Sequence, residues 1–279
     1  MRDAWKARPC IQLTDLFLGK LKAMLLIEYR IKLPLNLDHY QVAHLYTIME
    51  MSKEFTSLGE GVEILENVPC DYACLPKPDH SRKGVGDVQR TSKRYHIPST
   101  LAEVAGLTDC ILAESAFNEF PHSKTIIIAE AGAKGEFTID TICKKIDEEN
   151  NIFKLPQVIL DKCSVVDIDV VNDSLPDVLH KDEEDPKIVL GLKSDWHRSL
   201  IPGQSMIVHK LVSVNSGETK KKTKEVVNTL VMDTLRKMFT LFHRKLLCSQ
   251  DRWKGLNMAD IRTMENETKD VLDRKRGDD

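Results

Sequence analysis

Thiol and imidazole side chains are the groups in this 279-residue chain that could hold a metal ion or act as a nucleophile or base. Cys70, Cys74 and His80 lie close together, but one CxxxC pair without a second pair is a weak zinc pattern. We interpret these cysteines as free thiols and predict no metal site. His122 and His243 stand in no recognisable catalytic pattern, and we interpret them as surface or core histidines.

Sequence motifs of catalysis and nucleotide binding are absent. The chain has no Gly-x-Ser-x-Gly elbow, no His-Glu-x-x-His and no phosphate loop, and Gly84-Val-Gly86 lacks the third glycine of a dinucleotide fingerprint. We therefore expect a protein that is not an enzyme and needs no cofactor.

Composition excludes several further classes of protein. Forty basic against forty-three acidic side chains give a net charge of −3, so no global positive field favours nucleic acid. Seven cysteines, an odd number, do not form a dense disulfide scaffold. No apolar run approaches the roughly 18 residues of a membrane-spanning helix. We expect a soluble, cytoplasmic protein.

The first 23 residues differ in sequence pattern from the rest of the chain, where regular alternation begins. Asp15 interrupts their apolar stretch and Leu21–Ala23 is a poor cleavage site, which disfavours a secretory signal. We expect residues 1–23 to be an N-terminal extension outside the fold, and residues 24–279 to form one domain.

Strand patterns dominate the middle of the chain, and helical patterns dominate its end. Residues 25–35 alternate and stop at Pro34, and strands are also predicted near 62–65, 90–97, 123–129, 136–143, 164–171 and 205–214. Residues 68–88 are predicted to be a loop. Asp38 could cap a first helix.

Two helices follow the last predicted strand. An apolar stripe runs along the first of them, formed by Val227, Val231, Leu235, Met238, Phe242 and Leu246. Asn257 and Asp260 form a variant capping box that begins the second. This order predicts an α+β helix-grip fold, a curved antiparallel β-sheet with long C-terminal helices enclosing a cavity.

Several segments, in the same order, resemble the class I phosphatidylinositol transfer proteins. The resemblance runs through Met24–Glu50, Gly59–Glu63, Gln89–His96, Glu183–Pro186, Lys210–Val214, Phe242–Arg244 and Met258–Lys269. It implies a StART-like fold whose lipid cavity holds one phospholipid. The implied function is binding of phosphatidylinositol, and also phosphatidylcholine, and its transfer between membranes by a monomer that touches membrane surfaces transiently.

The resemblance also implies two groups of site residues. Thr91, Lys93, Asn118 and Glu265 match the residues that bind the inositol headgroup. Thr91 and Lys93, two apart on a strand, point to one face.

Lys210 and Thr125 match phosphate-binding residues. His44 replaces a family glutamine, Ser123 replaces a cysteine, and Cys143 stands where a threonine is expected.

Departures from the family pattern leave alternatives open. The family's membrane-inserting Trp-Trp pair is missing, since residues 215–222 read NSGETKKK, and the Lys-Thr-Gly-Arg-Gly segment after Pro186 is also missing. The basic run Lys220–Lys224 is either a solvated loop or a patch attracted to anionic lipid. One alternative is a lipid-binding sensor or interaction module with weakened or lost transfer activity. Another is a helix-grip enzyme with a hydrophobic substrate.

Overall fold

The computed structural model describes residues 25–70, 88–97, 111–130, 136–146, 151–215 and 221–277, but no side chains at 221–228 or at 230. The predicted extension 1–23, most of the predicted loop 68–88, and Lys220 lie outside these residues. No helix in the described ranges is long and apolar enough to cross a bilayer.

Eight strands of the described chain form one sheet. They are β1 (Leu25–Leu33), β2 (Gly61–Cys70), β3 (Val88–His96), β4 (Ile111–Glu119), β5 (His122–Ala129), β6 (Glu136–Lys145), β7 (Ser164–Ile168) and β8 (Met206–Asn215). Their order across the sheet is β2-β3-β4-β5-β6-β8-β1-β7. Only β1 and β7 pair in parallel, so the predicted antiparallel sheet is confirmed.

The strand predictions succeeded where alternation was clean. In β1, Tyr29, Ile31 and Leu33 are fully buried on one face, and the strand ends directly before Pro34. The sequence did not indicate β4, and β2 extends through Cys70, so residues 68–70 are strand and not loop. The reason is that the sheet pairs both stretches on their neighbours although neither alternates strictly.

The helices are α1 (Leu37–Glu54), α2 (Gln157–Leu160), α3 (Pro186–Val189), α4 (Lys221–Cys248), α5 (Gln250–Trp253) and α6 (Met258–Arg276). The cap of α1 is Asn36, whose side chain accepts from the backbone N–H of Asp38, so the predicted Asp38 cap is wrong. The capping box of Asn257 and Asp260 at the start of α6 is confirmed.

Helix α4 lies against the face of the sheet that carries Tyr29, which we call the inner face. The Tyr29 hydroxyl donates to the Met232 carbonyl at 3.0 Å, and its ring meets Phe239 at 5.2 Å. Helix α6 packs on α1 and on β2. These contacts confirm the α+β fold class, with the long C-terminal helices packed against the sheet.

The apolar stripe of α4 differs from the predicted one at a single described position. Val231, Leu235, Phe242 and Leu246 pack on the core, but Met238 is 38% exposed. Phe239 takes the inward position, where it packs on the core and meets the Tyr29 ring, so the buried face of α4 is rotated toward 239 and leaves 238 at its exposed edge. Val227 lies among the side chains outside the described set.

Two members of the predicted stripe should therefore differ in their contribution to stability. Leu246→Ala should lower the free energy of unfolding by about 2–5 kcal/mol, because Leu246 is fully buried. Met238→Ala should change it by less than about 0.5 kcal/mol. Urea denaturation of both variants measures this difference, and equal losses would contradict the assignment of the inward face.

Candidate functional site

A cavity of about 260 Å³ lies between α1, the inner face of β3–β6, and α6. Its walls consist of Tyr40, Gln41, His44, Leu45, Gln89, Thr91, Asn118, Glu119, Phe120, Pro121, His122, Ser123, Thr141, Cys143, Arg262 and Glu265. The volume is below the 300–1,000 Å³ typical of sites for drug-sized ligands. The cavity therefore matches one polar headgroup, and a cavity for a whole phospholipid stays a prediction.

The strand register brings polar side chains into one row on the inner face. Ser123 pairs with Asn118 on one side and with Thr141 on the other, and Thr141 pairs in turn with Lys210. Directly paired residues lie on the same face of a sheet. Strands β4, β5, β6 and β8 thus each contribute one hydrogen-bonding side chain to a row that runs across the strands.

Three of the four residues predicted to bind inositol line the cavity, namely Thr91, Asn118 and Glu265. Lys93 does not line it. Its side chain is buried, and its ammonium lies 3.7 Å from the Glu114 carboxylate on the neighbouring strand. The protein therefore already provides a counter-charge for Lys93.

The four residues predicted to bind phosphate divide in a similar way. His44 and Ser123 line the cavity, whereas Lys210 and Thr125 are not among its wall residues. Thr125 lies two residues beyond Ser123 on the same face of β5. Lys210 lies behind Thr141, to which its ammonium donates a hydrogen bond of 3.3 Å.

Lys210 is a buried cation with few partners among the described residues. Its Nζ lies 5.2 Å above the Phe239 ring, and none of the described carboxylates lies within salt-bridge distance. Burial lowers the pKa of this ammonium. Since an ammonium has three donors and Thr141 takes one, the site can accommodate an anion here.

The hydroxyl beside Lys210 belongs to Thr141. The family pattern predicts a threonine at position 143, where this chain has a cysteine. Cys143 lies two residues further along the same face of β6, where its thiol lines the cavity. Burial raises the pKa of that thiol to about 12, so it remains protonated. Thr141 therefore supplies the hydroxyl that accepts from Lys210, two residues before the position where the family pattern predicts a threonine.

His44 enters the cavity as a neutral aromatic ring. It lies 5.4 Å from the ring of Tyr40 and 5.2 Å from that of Phe242. Burial, and then repulsion from Lys210 and His243, lower the pKa of His44 well below its ordinary value.

His243 forms the layer behind His44. It donates from Nδ1 to the Phe239 carbonyl at 2.7 Å, so its Nε2 accepts from the Tyr40 hydroxyl at 3.2 Å. Burial and the nearby Lys210 lower its pKa to about 3. His243 is therefore a satisfied core histidine, which is one of the two interpretations that the sequence allows.

Besides Thr141, sequence reasoning missed a connected set of polar residues around Glu265: Asn67, Gln89 and Arg262. Asn67 donates to Glu265 at 2.8 Å and accepts from Gln89 at 2.8 Å, and Arg262 donates to the same Glu265 oxygen at 2.6 Å. Spacing alone could have indicated Arg262, three residues before Glu265 on a helix, and Gln89, two before Thr91 on a strand. Asn67 is placed only by the pairing of β2 with β3.

The arrangement offers hydrogen bonds and one buried positive charge that no described carboxylate pairs. Hydroxyl, amide and carboxylate groups line the cavity, and an ammonium lies just behind its wall. No group of His, Cys, Asp and Glu that could hold a metal ion occurs in the part of the chain that the structure describes. Such a site suits recognition of a polar, phosphate-bearing molecule.

Comparison with known proteins gives consistent matches. A family model described as "Phosphatidylinositol transfer protein" matches residues 24–270. The phosphatidylinositol transfer protein beta isoform of Homo sapiens is 31% identical over 274 residues, which cover 91% of this chain and 96% of that protein. Phosphatidylinositol transfer protein 2 of Dictyostelium discoideum is 33% identical over 267 residues, 90% of this chain and 96% of that protein.

A longer relative matches as well. Membrane-associated phosphatidylinositol transfer protein 2 of Mus musculus is 32% identical over 270 residues, 90% of this chain. The match covers 19% of that protein, so this chain spans about a fifth of its length.

The two neutral histidines predict how stability depends on pH. The folded state resists their protonation while the unfolded chain binds protons, so the free energy of unfolding should decrease as the pH falls below about 6.5. Each histidine contributes up to about 1.4 kcal/mol per pH unit. His44→Gln should therefore flatten the slope between about pH 6.5 and 5.

The control for this experiment is His197→Gln, which changes an exposed histidine. Urea denaturation at several pH values gives the slopes. A slope in His44→Gln equal to that of the unsubstituted protein would show that His44 is protonated in the folded state.

Proposed function

The chain belongs to the phosphatidylinositol transfer protein family, and from that premise we propose that it binds one phospholipid and transfers it between membranes. The proposed ligands are phosphatidylinositol and phosphatidylcholine, and the proposed location is the cytoplasm, with transient contact at membrane surfaces. Members of this family are lipid transfer proteins and not enzymes. The observation that carries the proposal is the buried, sparsely partnered Lys210 beside a polar cavity.

The phosphodiester of the lipid would lie at the end of the cavity where Lys210 and Thr141 meet. A bound phosphate offers the ammonium the counter-charge that the described protein groups do not. His44 would serve there as a neutral hydrogen-bonding group, and Ser123 and Thr125 as hydroxyl donors. Every candidate phospholipid has this phosphate, so this end sets affinity and not selectivity.

The inositol ring would lie against Thr91, Asn118 and Glu265. A hydroxyl, an amide and a carboxylate together match a polyol, whose hydroxyl groups both donate and accept. Lys93, although paired with Glu114, has further donors and could reach the same ring. A choline group has no ring hydroxyls, so it would leave these protein groups without partners.

The acyl chains would follow the inner face away from the polar row. Beyond Thr141 on β6 come Ile139 and Phe137, and beyond Lys210 on β8 come Val212 and Val214. Ile139 and Phe137 are only partly buried and pack against the same core cluster as apolar side chains of α4. Separation of α4 from this face would open an apolar path for two acyl chains.

A second candidate function is lipid binding without transfer. Residues 215–222 contain no aromatic side chain where the family carries its Trp-Trp pair. Interfacial tryptophan anchors proteins in bilayers, whereas each lysine near an anionic surface contributes only about 1 kcal/mol. A protein that loads lipid but does not deliver it would be a sensor or interaction module.

Two substitutions should separate the phosphate end from the ring end. Glu265→Ala should lower loading of phosphatidylinositol from vesicles about 5- to 150-fold, by the loss of roughly 1–3 kcal/mol, and barely change loading of phosphatidylcholine. Lys210→Met should lower the loading of both lipids. It should not lower the melting temperature of the lipid-free protein, because it replaces a buried charge by an apolar side chain of similar length.

The controls are Glu267→Ala on the exposed side of α6 and Lys124→Met on the outer face of β5, where Lys124 pairs with Asp140. Loading and delivery to acceptor vesicles are measured separately. Loading without delivery would favour the sensor. Normal loading of both lipids by Lys210→Met would contradict the proposed phosphate site.

A further inference from the structure

We propose that Asn67 is a positioning residue for the headgroup, which holds Glu265 and Thr91 in the arrangement that recognises ring hydroxyls. The inference rests on the proposed function and deepens it, because it concerns selectivity between inositol and choline lipids. Asn67 is not among the wall residues of the cavity, so it acts through the two residues that are.

Asn67 connects the edge of the sheet to the last helix. Its Nδ2 donates to Glu265 Oε2 at 2.8 Å, and its Oδ1 accepts from Gln89 Nε2 at 2.8 Å and from the Thr91 hydroxyl at 3.3 Å. These contacts engage both the nitrogen and the oxygen of the side-chain amide and therefore fix its orientation. One side chain on β2 thus determines the positions of two groups on the cavity wall.

The network determines which hydrogen-bonding groups face the cavity. The proton of the Thr91 hydroxyl is directed to Asn67, so the lone pairs of that oxygen are available to a ligand. Glu265 Oε2 accepts from both Asn67 and Arg262, which leaves Oε1 as an acceptor. Both residues therefore present acceptors, and acceptors select a ligand that carries hydroxyl donors.

The donor at position 67 can be exchanged for a negative charge. The neutral amide of Asn67 donates a hydrogen bond to Glu265, which also accepts from the Arg262 guanidinium. A carboxylate at position 67 would lie about as close to Glu265 as the amide nitrogen does, and repulsion between two carboxylates in contact favours one proton shared between them, against the attraction of Arg262. The position is therefore testable by pH.

The test uses Asn67→Asp, which keeps size and shape but exchanges a donor for a charge. Vesicles with equal parts of phosphatidylinositol and phosphatidylcholine serve as lipid source, and the ratio of the two lipids loaded is read by mass spectrometry. At about pH 7.5 we expect the inositol-to-choline ratio to fall about 5- to 150-fold. At about pH 5.5 the shared proton should restore most of the ratio.

Two further variants complete the experiment. Asn36→Asp adds the same charge at the cap of α1, where aspartate also caps well, and should leave the ratio unchanged at both pH values. Asn67→Ala has no group to share a proton, so its ratio should be low at both pH values.

The outcomes separate this inference from the proposed function. If the unsubstituted protein loads neither lipid, the proposed function fails. If it loads both and Asn67→Asp keeps its ratio at about pH 7.5, only the inference about Asn67 fails. Equal losses of both lipids in Asn67→Asp, unchanged between the two pH values, would show that Asn67 supports the fold alone and would overturn the inference.

Discussion

The arrangement of the site depends on one buried positive charge, the ammonium of Lys210, whose described hydrogen-bond partner is the hydroxyl of Thr141. Burial of an unpaired ammonium is unfavourable. Either protein groups or a bound anion must therefore compensate its charge. The protein keeps the nearby imidazoles of His44 and His243 neutral and places the ring of Phe239 over the charge. We propose that a ligand phosphate completes this environment.

On the outer face of β1 and β8, which is opposite to the inner face, buried charged groups are paired with other protein groups. His209, next to Lys210 on β8, contacts buried Glu28 at 2.8 Å, and Arg30 binds the same carboxylate at 2.8 and 3.1 Å. Burial alone would raise the pKa of Glu28, but these hydrogen bonds lower it to about 2. Charges on the outer face are thus paired within the protein. The contrast indicates that the sparse pairing of Lys210 on the inner face is a property of the site and not of the strand.

Much of this architecture could be predicted from the sequence, because local patterns determine it. Alternation identified β1, and the capping box at Asn257 identified the start of α6. Features that depend on the pairing of distant segments could not be predicted in this way. Strand β4 lacks alternation, and the link from Asn67 to Glu265 joins residues 198 apart in the chain. The sequence also did not determine which single residues of a helix face inward. In the stripe of α4, Met238 was predicted to face inward, but in the structure Phe239 packs on the core and Met238 is exposed.

We propose that the cavity and Lys210 together hold the headgroup of one phospholipid. Native mass spectrometry of the purified protein can show this, because a lipid enclosed during expression remains bound in the intact complex. We expect a mass increase equal to one phospholipid, identified as an inositol or choline lipid after release, and no such increase in Lys210→Met. If the protein carries no phospholipid even after incubation with inositol- and choline-lipid vesicles, the cavity does not hold a phospholipid headgroup.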